Sequence, residues 1–269
     1  MVAPQGRVPV AVVRRSNKMI SQGIKFISAL LSTLFLFGAS LVAGEAPNYS
    51  SYARLLKTYV IEDKVDYAAW AENDENIAAL DEFLEHLSQI ETDSLSRNDQ
   101  MAYYINLYNA AMLHVVLEKY PIDSVKNIGI LPFSVFKQDF VQLLDRKVSL
   151  DEIEKGILLK DYFDSRIHFA VNCASEGCPP LRAEPFVGDR LETQLDEQTK
   201  LFAQSERAAK IDEDQKSVAY SELFKWYAKD FDVKNPAEYL NRYREMPLPT
   251  NYSVDWITYD WSLNQVSED

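Results

Sequence analysis

The sequence predicts an α+β fold, a mainly helical single domain with a small antiparallel sheet. Three observations predict it. Apolar residues recur at helical spacing along most of the chain, several of those runs open on side chains that cap a first turn, and alternating strand-like runs are few and short. With 269 residues, 47% of them hydrophobic, there is enough apolar surface for one substantial core.

The domain is expected to span residues 45–269, because the first 44 residues have a different character. Residues 26–44, "FISALLSTLFLFGASLVAG", hold no charge, and Arg14, Arg15, Lys18 and Lys25 precede them. A basic region, an apolar stretch and then small residues form the layout of a secretory signal peptide. Val42 and Gly44 take the small-residue positions, so the cut is expected after Gly44 and the mature chain is expected to be periplasmic or secreted. A membrane anchor formed by residues 26–44 is the alternative, because nineteen uncharged residues nearly span a bilayer. Met19 competes with Met1 as the start.

The chain carries 28 basic and 41 acidic residues, a net charge of −13. Residues 1–44 hold five of the basic residues and no acidic one, which leaves 23 against 41, or −18, beyond the expected cut. Such a surface repels phosphate backbones and anionic lipid heads. No nucleic acid is expected as a partner, and no membrane once the signal is removed; the expected partner is an unidentified small molecule or protein. Only Gly129, Gly156, Gly177 and Gly188 follow residue 44, too few to build a phosphate-cradling loop or a dinucleotide fingerprint, and no cofactor is expected.

In chain order, helical periodicity predicts helices over 50–59, 75–89 and 98–119. "SLDE" opens another, with Ser149 as cap and Glu152 completing the capping box. Alternation makes "RIHFAVN", 166–172, a strand. Helices follow over 189–206 and 221–230, with a hairpin "AKIDEDQKSVAY" between them that turns near Asp214. "NPAE" starts a further helix with Asn235 as cap, Pro236 in the first turn and Glu238 as the returning acid. "VDWITYDW", 254–261, is the closing strand.

Within the third helix, "MAYYINLYNAAMLHVVL" runs from Met101 to Leu117 without a charge, so it is expected to be buried on all sides. At 100° per residue, Asn109 and Asn106 lie about 60° and 120° from the centre of its most apolar stripe, and His114 about 160° away. Two amides thus share one shoulder of a central helix. They either tie down the backbone of a neighbouring loop or orient a histidine or a ligand.

The stretch "HFAVNCASEGCPPL", 168–181, holds both cysteines of the chain and one of its three histidines. Read as a strand, it sends His168 and Cys173 to opposite faces about 17 Å apart, so they pair only if the chain folds back after Asn172. Three readings of the cysteines stay open. Cys173 and Cys178 close a small disulfide loop, relaxed by Gly177, which fits an oxidising compartment. Alternatively, Cys173 is a thiolate nucleophile with His168 or His114 as base, Ser175 being the weaker nucleophile. A metal site of His168, Cys173, Cys178 and His114 is the third, although the spacing matches no zinc knuckle. Nearby, Arg182 either binds a carboxylate ligand or pairs with Glu176 or Glu184.

With "YYINLYNAAMLHVVL", "YPIDSVKNIG", "SLDEIEKGIL", "RIHFAVNCASEGCPPL", "LETQLDEQTKLF" and "YDWSLN" in this order, the chain resembles the domain of unknown function 547, from about Ala53 to Asn264. The resemblance implies no activity. It implies positions that matter: Asn106 and Asn109, then Arg166, His168, Cys173, Ser175 and Cys178, then Asp260. The family's first block is expected to begin with an acid and a Phe-Trp pair, where this chain has Gln100 and Tyr103–Tyr104. The resulting expectation is an exported binding or structural domain with a disulfide-stapled loop, its site a crevice between the central helix and the cysteine loop. The alternative is a thiol-dependent hydrolase or transferase, in which Cys173 attacks, a histidine is the base and Asn109 or Asp260 orients it.

Overall fold

A computed structural model describes residues 46–267; the expected signal peptide, its cut after Gly44 and the alternative anchor lie outside the described residues. No described helix is long and apolar enough to cross a membrane.

The chain begins with α1 (Ser50–Tyr59), which buries Tyr52, Leu55, Leu56 and Tyr59, one helical face. A two-residue hairpin, β1 (Val60–Ile61) and β2 (Lys64–Val65), leads to α2 (Tyr67–Ala71), where the Asp66 side chain accepts from the Ala69 amide. Asn73 caps α3 (Asp74–Ser88) in the same way. Ser96 caps α4 (Arg97–Lys119), the central helix, which is buried on every side from Met101 to Leu117 apart from Tyr104 and His114. A second hairpin, β3 (Val141–Leu143) and β4 (Arg146–Val148), precedes Ser149, whose Oγ accepts from the Glu152 amide at 3.1 Å. The predicted start is present, but Glu152 turns its carboxylate to Arg146 at 2.5 Å instead of closing the capping box. The helix that follows is a π-helix over Glu152–Tyr162, a wider coil that is rare at this length and tends to accompany functional sites.

Residues 166–172 do not form the predicted strand. Ile167–Ala170 make one helical turn, α5, started where the Asp164 side chain accepts from the Arg166 amide at 2.9 Å. Alternation misled because all four residues of α5 are buried: Ile167 and Ala170 join a core built on α1–α4, and Phe169 joins a second core. Its polar member, His168, is buried beside them. With α5 between two cores, the cysteine loop that follows it lies at their seam.

Next come α6 (Leu191–Gln204), β5 (Ala209–Asp212) and β6 (Ser217–Ser221), an antiparallel hairpin whose turn spans residues 213–216, as predicted. The predicted helix over 221–230 divides at Tyr227 into α7 (Leu223–Trp226) and α8 (Ala228–Phe231). Asn235 caps α9 (Pro236–Leu240) by accepting from the Ala237 amide, with Pro236 in the first turn. The last strand, β7 (Ser253–Ile257), pairs parallel with β6, so the three-stranded sheet is mixed rather than wholly antiparallel. It ends before Tyr259, which frees Tyr259 and Trp261 to leave the sheet. The fold is mainly helical α+β, as predicted.

Candidate functional site

The amides of α4 hold the backbone of the residues around α5. Asn109 Nδ2 donates to Ala170 O at 2.9 Å, and its Oδ1 accepts from Asn172 N at 2.8 Å. Asn106 does the same for both polar groups of Phe186, at 2.7 and 2.9 Å. Both side chains are therefore spent on backbone, and Asn109 orients no imidazole. They fix a loop end, and that loop carries the sulfurs.

The turn is pinned again from within. Asn172 accepts from Ala174 N at 2.9 Å and donates to Pro179 O at 2.8 Å. Ala174 sits at φ 58, a left-handed conformation that a non-glycine residue holds only when its surroundings impose it. At Gly177 the chain passes so close to Asp260 that a Cβ would lie 3.0 Å from the Asp260 amide nitrogen. Asp260 uses its carboxylate on the Ser262 amide and hydroxyl, bonds that lower its pKa, and its carbonyl on Gly177 N. It braces the loop and does not orient a histidine.

Two free thiols result, with Cys173 Sγ and Cys178 Sγ 3.0 Å apart. They are near but unjoined, so the structure does not form the expected staple. Cys173 is half-buried and Cys178 buried. Cys173 Sγ also meets Ser175 Oγ at 2.9 Å and Tyr259 OH at 3.3 Å. The hydrogen-bond contact with Cys178, aided by those with Ser175 and Tyr259, outweighs burial and brings the Cys173 pKa down to about 7. Burial pushes Cys178 well above the usual thiol range. Cys173 is the sulfur with the lowered pKa, whereas buried Cys178 accepts from the Cys173 amide at 3.0 Å and meets Val171 O at 4.0 Å, an asymmetry expected of an attacking and a resolving sulfur.

Cys173 opens on a cavity of about 290 Å³ that Tyr108 of α4, the π-helix, α7 and the segment after β7 also line. His168 lines it as well, so the fold-back needed to bring His168 and Cys173 to one site is present. The two do not pair. His168 Nε2 lies 2.9 Å from Asp230 Oδ2, its ring packs 4.0 Å from that of Tyr227, and burial, against the opposing pull of Asp230, lowers its pKa. His114 is elsewhere, its Nδ1 2.8 Å from Asp81. Neither histidine is thus placed as the base of Cys173, and the four-residue metal site is not assembled. Among the described residues no group of three or more His, Cys, Asp or Glu is positioned for a metal ion.

Both arginines singled out are occupied. Arg166 pairs with Asp164, Glu192 and Asp196 at 2.6 to 2.8 Å, tying α5 to α6, and Arg182 pairs with Glu184 and Glu197 at 2.6 Å. Of the two expected partners of Arg182, Glu184 is the one found. Ser175, buried, donates to Tyr259 OH at 3.1 Å while its oxygen lies 2.9 Å from Cys173 Sγ, so it serves the sulfur's hydrogen-bond network.

Sequence reasoning missed Glu154, Tyr227, Asp230, Tyr259 and the tryptophans. Only Glu154 left a readable signal, an acid at the centre of the i, i+4, i+8 series Leu150, Glu154, Leu158, all three buried. Its Oε1 accepts from Tyr227 OH at 2.8 Å, and burial raises its pKa above 4.5. The folded protein therefore binds a proton here that the unfolded chain has lost, and stability falls as pH rises from about 4.5 through the raised pKa. Glu154→Gln keeps an acceptor for Tyr227 and is expected to flatten that part of a denaturant-unfolding pH profile. Its stability relative to the parent should increase with pH over the same interval.

A family model described as "Protein of unknown function, DUF547" matches residues 92–203. The resemblance therefore holds from α4 through most of α6, covering Asn106, Asn109 and both cysteines, and not over the wider span expected. Tyr259, Asp260 and α7 fall outside it. No curated protein and no solved structure matches the chain.

Proposed function

We propose that the chain is an exported thiol–disulfide exchange protein in which Cys173 attacks and Cys178 resolves. The observation that carries this reading is the 3.0 Å approach of the two sulfurs, with the Ser175 and Tyr259 hydroxyls within hydrogen-bond reach of Cys173 Sγ at the wall of a cavity. The Cys173 thiolate attacks one sulfur of a substrate disulfide, forms a mixed disulfide and releases the other half as a thiolate that takes a proton. Cys178 then loses its proton and attacks Cys173 Sγ, forming the intramolecular disulfide and releasing the second half as a thiol. Two electrons pass from the cysteine pair to the substrate, and the reverse sequence oxidises a substrate dithiol. Closing the pair from 3.0 Å to the roughly 2.05 Å of a disulfide takes about 1 Å of movement.

Alkylation of the reduced, native protein with iodoacetamide tests the assignment. One thiol, Cys173 by peptide mapping, is expected to react with a pH midpoint near 7, while Cys178 stays protected. Two cysteines that react alike, with a midpoint in the ordinary thiol range near 8.5, would overturn it. A permanently closed staple is the second reading, favoured by the burial of Cys178 and the clamps on its loop. It predicts no alkylation of native protein until reductant and denaturant are both present.

A further inference from the structure

We infer that the cleft beside Cys173 seats a planar apolar molecule that carries a carboxylate, its ring stacked on an aromatic wall and its anion read by Lys137. The inference names the part of a disulfide substrate that the cleft would recognise, an aryl carboxylate borne by one of its sulfurs, and rests on that reading for the substrate role, though not for binding. Four rings from three separate segments make the wall. Phe133 meets Trp261 edge-on with centroids 4.6 Å apart, Trp261 meets Tyr259 at 4.5 Å, and Tyr259 meets Trp226 at 4.9 Å. Tyr259 carries the hydroxyl that touches Cys173 Sγ, so the wall leads to the sulfur.

Trp226 lines the cavity, packs against Tyr259 and stacks on Trp261 at 5.9 Å, and still leaves 44% of its surface exposed. Phe133 is held at φ 65, costly for a bulky residue, in the position that sets its ring against Trp261. It begins the short 3₁₀ turn Ser134–Lys137, through which Phe136 and Lys137 also reach the cavity. A volume of about 290 Å³ suits one or two fused rings; larger ligands occupy sites extending to roughly 1,000 Å³.

The charged residues that line the cleft, Lys137, Lys155, Asp151 and Glu154, balance in sign, where the chain as a whole is acidic. Asp151 is paired with Lys155 at 2.6 Å, and Glu154 is buried on the Tyr227 hydroxyl. Lys137 has no carboxylate within 4.0 Å among the described residues. Lys126 lies beside the wall, 5.7 and 5.8 Å from the ring centres of Phe133 and Trp261, and also acts on the Asp260 carboxylate. In a protein of net charge −13, an aromatic slot whose Lys137 has no carboxylate partner fits an aromatic acid and disfavours an aromatic cation.

Isothermal titration of the Cys173→Ser/Cys178→Ser protein with 2-naphthoate and 2-naphthamide tests this without thiol chemistry. Wild-type protein in excess reductant is measured in parallel as a check on the variant's fold. Naphthoate is expected to bind at least about 10-fold more tightly than the amide in both proteins. Lys137→Gln should remove about that factor for naphthoate while moving the amide less than about 2-fold. Equal affinities for acid and amide, no binding of either up to about 5 mM, or indifference to Lys137→Gln would overturn the inference. If naphthoate binds as stated while Cys173 shows no thiolate reactivity, the ligand class stands and the exchange reading falls.

Discussion

Asn109→Asp is expected to lower the thermal unfolding midpoint by roughly 10 °C in reducing buffer at neutral pH, read by calorimetry. The substitution keeps the size and shape of the side chain and one acceptor oxygen for Asn172 N. It replaces the donor to Ala170 O with a second oxygen that faces a carbonyl, in a position only 3% exposed. A buried charge without a partner, or a proton taken up to avoid it, together with an orphaned carbonyl costs about 3–5 kcal/mol. In a domain of this size each kcal/mol moves the midpoint by about 2–4 °C. The effect should reach the sulfurs, because Asn172 is the residue before Cys173, and Cys178 should become open to alkylation well below the unfolding temperature. A shift of less than about 2 °C would mean that the loop is held by other contacts and that the amide clamp is incidental.

The second large effect is expected at the cysteines, where the two serine variants should fail in different ways. Cys173→Ser removes the attacking sulfur, and its reaction with 5,5′-dithiobis(2-nitrobenzoate) under native conditions should slow by about 10³-fold or more, since buried Cys178 has a raised pKa and few thiolates. Cys178→Ser should leave the first step within about 10-fold of the parent, because the serine hydroxyl can donate to a Cys173 thiolate from the place where Cys178 Sγ lies 3.0 Å away. That protein should then stop as a stable mixed disulfide, visible in its intact mass. Equal reactivity of the two variants would contradict the roles assigned to the two sulfurs.

Much of the scaffold was legible, and for local reasons. Caps at Ser149 and Asn235 are short-range chemistry, and both form. The uncharged run in α4 announced burial, and two amides on its shoulder announced that something must be held there. What they hold, the backbone of Ala170, Asn172 and Phe186, is a tertiary fact that helical spacing does not contain. "RIHFAVN" was misread because alternation is a strand signal only where one face is wet; α5 has no wet face, and its polar histidine is satisfied inside by Asp230. The aromatic wall was invisible for a different reason. Phe133, Trp226, Tyr259 and Trp261 are far apart in sequence, and each passes for an ordinary core or strand residue until the fold brings them together.

Thiol–disulfide exchange at this site requires the two sulfurs to act as one two-electron couple. Counting thionitrobenzoate released per molecule of reduced, native wild-type protein, with intact mass taken on the product, tests that most directly. Two equivalents released and a product two hydrogens lighter than the dithiol, with no adduct attached, is the expected outcome. One equivalent released per reacted cysteine, with the nitrobenzoate adduct retained on the protein, would contradict it.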